Sequence, residues 1–289
     1  MQYLQVEKNY SHYTVEFYES DILEFILFMS EQSIPNLEDV EYSDVRLFLT
    51  KLFEQKLTRK SVARKISSLR SFFKFLLREK LVEQNPFAQV SIPKVEKRLP
   101  DFFYEEELAV LFQACDLNNP IGQRNMAILE LLYATGIRVS ECSGILLRDI
   151  DFDLSTLLVH GKGRKDRYVP FGSFAHAALE RYITYGRTEI LSHHQKQHDY
   201  LFVNARGGQL TTRGLRTVLN SIIEKSSLNG KIHPHKLRHT FATHLLNNGA
   251  DMRTVQELLG HSNLSSTQIY THVTNDYLKK TYMAHHPRA

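Results

Sequence analysis

Apolar positions in the first 85 residues recur at steps of three and four, and no glycine occurs before Gly122. That period is the signature of amphipathic helices. The stretch from Thr58 to about Lys80 is the clearest case. Val62, Ile66, Leu69, Phe73 and Leu76 step by four, three, four and three, which predicts a single buried stripe. Lys60, Arg64, Ser67, Ser71, Lys74 and Arg78 step the same way on another face. That face is cationic, with serines small enough to let a polyanion backbone come close. Thr58 is placed to cap the helix. Asn85-Pro86 ends the region, and the following segment is bracketed by Pro93 and Pro100. Proline removes a helix donor and constrains the residue before it. The pattern therefore predicts an all-helical domain over residues 1–90, an extended linker over 91–101 and a second domain over 102–289.

The second domain reads as helical again, with one β segment. Asn125 to Ala134 is apolar almost all round, which predicts a core helix, and Gly136 is its expected stop. Leu157–His160 and Arg167–Pro170 flank a glycine-bearing turn and predict a hairpin. Leu201-Phe202-Val203 suggests a third strand, and a helix should be capped at Thr211 or Thr212. Pro234 suits a first helical residue, with Gly249 as the stop. The histidine-rich stretch His193–His198 is expected in a loop. The fold class expected is mainly α, with a small antiparallel sheet in the second domain.

Composition narrows the class. The chain has 289 residues, 42% hydrophobic and 24% charged, which fits an ordinary globular protein of about two domains. Apolar runs such as Ile22–Met29, interrupted by Glu24, are too short to span a membrane. No basic patch followed by an apolar core opens the chain. Cys115 and Cys142 are too few for a disulfide framework and are expected as small buried residues in a reducing, cytoplasmic setting. Charge is unevenly placed. Residues 1–45 hold ten acids and one base, and residues 56–80 hold nine bases and one acid. A cationic block of that kind marks a phosphate-binding surface, although a solvated helix face has the same composition.

Chemistry concentrates in the last third. His235-Lys236-Leu237-Arg238-His239, Leu259-Gly260-His261-Ser262 and Gln268-Ile269-Tyr270-Thr271-His272 follow one another. Upstream lie Thr135-Gly136-Ile137-Arg138 and Gly161-Lys162-Gly163. His235 and Arg238 share one side of a helix start, a natural anion site. Each residue also has a plain structural reading: a buried histidine, an Arg138–Glu141 ion pair, a solvated turn lysine. His235 and His239 have the spacing of a helical zinc pair, but Lys236 and Arg238 between them oppose a metal, and none is expected. Together the set fits attack on a phosphodiester. The phosphate moves from one negative charge toward two, and donors placed in advance lower that barrier. A phenol with pKa about 10 needs a base, which His235 can provide, and the departing 5′ oxygen needs a proton, which Lys162 can give. A covalent phosphotyrosine would store the bond energy, so no cofactor is expected.

These motifs, from Ala134-Thr135-Gly136-Ile137-Arg138-Val139-Ser140-Glu141 to Gln268-Ile269-Tyr270-Thr271-His272, resemble in order and spacing the active-site boxes of the tyrosine recombinases, the phage-integrase family. The likeness is greatest to its bacterial Xer members, the XerC branch above the XerD branch. The resemblance implies a four-helix, SAM-like DNA-binding domain ahead of a catalytic domain of the DNA breaking-rejoining fold. It implies Tyr270 as nucleophile, Arg138, Arg238 and His261 on the scissile phosphate, Lys162 as general acid and His235 assisting proton transfer. Lys60, Arg64, Arg70, Lys74 and Arg78 are the expected DNA contacts. The implied substrate is a double-stranded DNA site, cut and rejoined to resolve chromosome dimers at cell division. The implied partners are a paralogous, XerD-like recombinase in a tetramer, with the tail Asp276–Ala289 docking on a neighbour, and a septal DNA translocase. A type IB topoisomerase-like enzyme and a non-catalytic DNA-binding protein are the competing readings.

Overall fold

The structure, a computed structural model, describes residues 3–4, 10, 12–91, 102–161, 166–226, 228, 234–260 and 271–289, with the backbone alone at 12, 13, 234 and 271–276. The chain divides into two compact units, Met1–Lys97 and Arg98–Ala289. Most of the expected linker lies outside the described residues. Among those described, no helix is long and apolar enough to cross a membrane.

In the first unit Tyr3 and Leu4 are helical, and among the described residues three full α-helices follow: α1 (His12–Glu31), α2 (Tyr42–Glu54) and α3 (Arg59–Arg78). The α3 stripe is buried as its spacing predicts, from Val62 through Ile66, Leu69 and Phe73 to Leu76. Burying each such side chain contributes roughly 1.5–3 kcal/mol relative to exposure. The Thr58 side chain accepts the Ser61 N–H at 3.2 Å, satisfying one of the first-turn donors that a helix leaves unpaired. Phe25 sits at the centre of the core, edge-on to Phe48 at 5.1 Å and Phe87 at 5.2 Å.

The second unit is built round α5. Its helices begin with α4 (Glu105–Gln113) and α5 (Pro120–Thr135), followed by the single turn α6 (Val139–Cys142). The α5 helix is buried on all sides from Ala127 to Thr135, as its apolar run predicts. A three-stranded antiparallel sheet follows: β1 (Ile150–Asp151), β2 (Thr156–Val159) and β3 (Arg167–Pro170), in the order β1-β2-β3. The β2–β3 hairpin pairs Leu157 with Val169 and Val159 with Arg167. Its third strand is Ile150–Asp151 and not the expected Leu201–Val203. That segment is apolar because it is core, and it makes only isolated bridges, Leu146 with Tyr200 and Val203 with Gln209. Both cysteines are buried and unpaired.

Helices α7 (Ser173–Arg181) and α8 (Thr188–His193) are joined through a π-helical turn, Tyr182–Arg187, which the sequence pattern did not signal. Then come α9 (Thr212–Ser226), α10 (Pro234–Asn247), α11 (Met252–Leu259) and α12 (Thr271–His285). Thr211 caps α9 by accepting the Gly214 N–H at 3.2 Å. Leu278 and Tyr282 of α12 pack with Phe241 and Leu245 of α10 and Leu258 of α11. The chain end is seated on the same unit: Arg288 pairs with buried Glu130 and lies 4.3 Å from the Phe112 ring centre. In this monomer, therefore, the described part of the tail lies against its own unit.

Candidate active site

Among the described residues, the ends of α5 and α11, the starts of α6 and α10, and strand β3 form the site. α5 stops at Gly136, whose φ of 59° is left-handed, a conformation that favours glycine. A second constraint applies there: a Cβ would lie 2.5 Å from the Phe241 ring and 2.9 Å from Leu259. The chain then turns through buried Ile137 to Arg138, the N-cap of α6. The Arg138 N–H donates to Glu141 Oε2 at 2.8 Å, and its Nη1 donates to Glu141 Oε1 at 2.9 Å. The ion pair weighed from the sequence is thus present, with the Arg138 side chain still 42% exposed.

Arg238 comes from the second turn of α10 and is buried. Its Nη1 donates to the Gly136 carbonyl at 2.5 Å and its Nη2 to the Leu259 carbonyl at 2.6 Å. Those carbonyls close α5 and α11, the latter ending in left-handed Gly260 (φ 67°). The cation is therefore seated at the negative ends of two helices, on oxygens that would otherwise lack partners. Burial lowers the Arg238 pKa to about 10, and the Arg138 guanidinium adds to the fall. It remains charged at neutral pH.

His235 opens the same helix and is exposed. Burial of part of the ring lowers its pKa, and the nearby His239, Arg238, Arg138 and Arg216 lower it further. His235 is therefore neutral at pH 7, the form that accepts a proton. Arg138, Arg238 and His235 are brought together from positions up to a hundred residues apart. Lys162, His261 and Tyr270 lie outside the described residues. The base of the hairpin that carries position 162 is described: His160 Nδ1 is 3.1 Å from Asp166 Oδ2, and its Nε2 is 3.4 Å from Asp149 Oδ1.

Two neighbours escaped the sequence reading as site components. From sequence, Glu141 reads as an ion-pair partner of Arg138 and Arg167 as a strand residue, neither as part of the site. Arg167 projects from β3 and grips Glu141 with Nη1 at 3.2 Å and Nη2 at 3.1 Å. Its Nε donates to the Leu258 carbonyl at 3.3 Å. Burial alone would raise the Glu141 pKa, but the donors of Arg167 and Arg138 outweigh it and hold the carboxyl below its ordinary range. Arg167 reaches α6 from a strand paired with β2, a juxtaposition that no linear motif signals.

The expected DNA contacts on α3 differ among themselves. Lys60 and Lys74 are exposed. Arg64 forms an ion pair with buried Asp21, and Arg78 pairs with Glu79 at 2.9 Å and lies over the Tyr3 ring. Arg70 is turned inward. Its Nε donates to the Phe87 carbonyl at 3.0 Å and its Nη2 to the Val90 carbonyl at 2.5 Å. It fastens the segment after Asn85-Pro86 to α3, a structural role.

Residues 101–276 match the phage integrase family, and residues 1–80 match the phage integrase N-terminal SAM-like domain. The chain belongs to the phage integrase family. Tyrosine recombinase XerC of Anoxybacillus flavithermus is 60% identical over 289 residues, covering 100% of this chain and 96% of that protein. Tyrosine recombinase XerC of Bacillus subtilis is 57% identical, covering 100% and 95%. The Xer resemblance drawn from the motifs, and its lean toward XerC, agree with these relatives. Among solved structures, XerH site-specific recombinase bound to its difH substrate has a TM-score of 0.69 at 21% identity, covering 96% of this chain and 79% of that one. At that identity the likeness speaks for the fold: a helical N-terminal domain and an α-rich integrase domain with a small sheet.

Proposed function

We propose that this chain is a site-specific tyrosine recombinase that cuts and rejoins double-stranded DNA through a covalent 3′-phosphotyrosine. The observation that carries the reading is the seat of Arg238, whose guanidinium donates to two carbonyls and, among the described residues, forms no ion pair with an acid. Beside it stand Arg138 and a neutral histidine. Two guanidinium forks can chelate the non-bridging oxygens of one phosphate. In this reading the Tyr270 oxygen attacks phosphorus, His235 assists removal of its proton, and Lys162 protonates the departing 5′ oxygen. One P–O bond forms as another breaks, and the freed 5′ hydroxyl of a second strand can reverse the step. Arg138, Arg238 and His261 stabilise the charge that develops, each donor worth about 2.7–4 kcal/mol.

The XerC relatives support a role in resolving chromosome dimers in the cytoplasm at cell division. There the chain would act in a tetramer with a paralogous, XerD-like recombinase and a septal DNA translocase. The exposed Lys60 and Lys74, together with Arg64 and Arg78, form the proposed phosphate-binding face of the N-terminal domain. A purely architectural DNA-binding protein would have no use for the Arg238 seat. Incubation with a nicked suicide duplex tests the enzyme reading. The wild-type chain should form a covalent protein–DNA adduct and Tyr270→Phe none. An adduct that persists in Tyr270→Phe would remove Tyr270 as nucleophile.

A further inference from the structure

We infer that Arg167 is a positioning residue that keeps Arg138 available to the scissile phosphate by neutralising Glu141. The inference rests on the recombinase reading above and deepens it.

An ionised carboxylate has about four lone-pair sites. At Glu141 four donors face them: on Oε2 the Arg138 N–H and Arg167 Nη2, on Oε1 Arg138 Nη1 and Arg167 Nη1. The acid is nearly buried, its side chain 7% exposed, and Arg167 is 16% exposed. Arg138 is the open member of the trio. To grip a phosphate, Arg138 must take Nη1 away from Glu141. With Arg167 in place the acid keeps a bidentate partner, and the exchange swaps one charged bond for another. Without Arg167 the exchange would leave a nearly buried carboxylate with no cation and only the Arg138 backbone N–H as donor, a state that is strongly disfavoured. Arg138 would then stay locked on Glu141.

The location of Arg167 supports the same role. Its guanidinium lies against Gly260, where a Cβ would be 2.9 Å from Cζ, and it holds the Leu258 carbonyl. Leu258 is one residue from Leu259, whose carbonyl holds Arg238. A single strand residue thus braces the supports of both phosphate-binding arginines. A merely structural brace would not be relieved by removing the Glu141 charge, whereas a neutralising role would.

The test compares the wild-type chain with Arg167→Ala, Arg167→Lys, Glu141→Gln and the Arg167→Ala/Glu141→Gln double variant. Single-turnover adduct formation on the suicide duplex is measured beside DNA affinity and melting temperature. Arg167→Ala should cleave about 100-fold more slowly, the loss expected when one phosphate donor is disabled, with affinity little changed. Adding Glu141→Gln should recover cleavage by about tenfold or more, because an amide no longer detains Arg138, a coupling within the range seen for contacting residues. Arg167→Lys, which keeps charge but not the fork, should fall between the wild type and Arg167→Ala. A double variant no faster than the single one, or Arg167→Ala cleaving like the wild type, overturns the inference. Should Arg167→Ala fail to fold, Arg167→Lys with and without Glu141→Gln carries the same comparison. A wild-type chain that forms no adduct would instead refute the enzyme reading.

Discussion

Gly136 shows how much one residue can carry. It closes α5, adopts a left-handed backbone and offers its carbonyl to Arg238. Its stop role was legible in the sequence, because glycine after an apolar helix is the commonest end signal. Its second role was not, because Phe241 and Leu259 are more than a hundred residues away and only folding brings them within reach. Gly136→Ala should therefore cost on the order of 1–3 kcal/mol for the strained conformation, with the added clash displacing the Arg238 seat. A lowered melting temperature together with slower adduct formation checks this, and unchanged values for both would refute it. The same distinction separates Arg138 and Arg238 from Arg167. The first two stand in recognisable motifs, whereas Arg167 earns its place only through strand pairing.

The helix α3 carries the clearest message among the elements, and also the clearest limit of sequence reading. Its apolar stripe and Thr58 cap follow from spacing and residue type. The fate of each cation does not, because a period of 3.6 cannot reveal the partner that a neighbouring helix supplies. Arg64 meets Asp21 from α1, buried Lys65 meets Asp21 at 3.1 Å, and Arg70 braces the chain after Pro86. The acid-rich start of the chain and the basic helix thus partly neutralise each other inside one unit. Reversing both Lys60 and Lys74 to glutamate should weaken DNA binding and flatten its log–log salt dependence by about two charges' worth. Arg70→Ala in the full chain should instead lower the melting temperature and leave the salt slope as it was. Titrations at several salt concentrations distinguish the two, and an unaltered slope in the lysine variant would exclude this face from DNA contact.

On the scale of the whole molecule, acid should loosen the second unit before the ordinary carboxylate range is reached. His286 is buried, and burial pushes its pKa down to about 3. Its Nε2 lies 3.3 Å from the Tyr133 carbonyl, while its Nδ1 accepts the Arg288 N–H at 3.1 Å and lies 3.4 Å from the Tyr282 hydroxyl. Only the neutral ring can both donate and accept. Arg288 adds a nearby positive charge, and His244, itself lowered by burial and bonded to the Tyr133 hydroxyl, adds to the fall. The unfolded histidine titrates near 6.5, so the stability from this network is complete above that pH and declines as pH falls toward 3. His286→Gln should flatten the fall in melting temperature between pH 7 and 5, and an equally steep fall would exonerate the ring. The mainly helical character and the small sheet were readable from periodicity and punctuation. The seating of α12 on its own unit was not, because a pattern of apolar positions does not say which surface will receive them.

The carbonyl seat of Arg238 has one more consequence. An arriving oxyanion need displace nothing there: it adds a ligand to a cation whose existing bonds remain intact. Arg138, by contrast, has to let go of an acid first. In the proposed reading capture would start at the buried fork and be completed by the exposed one, so the order of engagement would follow from how each arginine is held at rest.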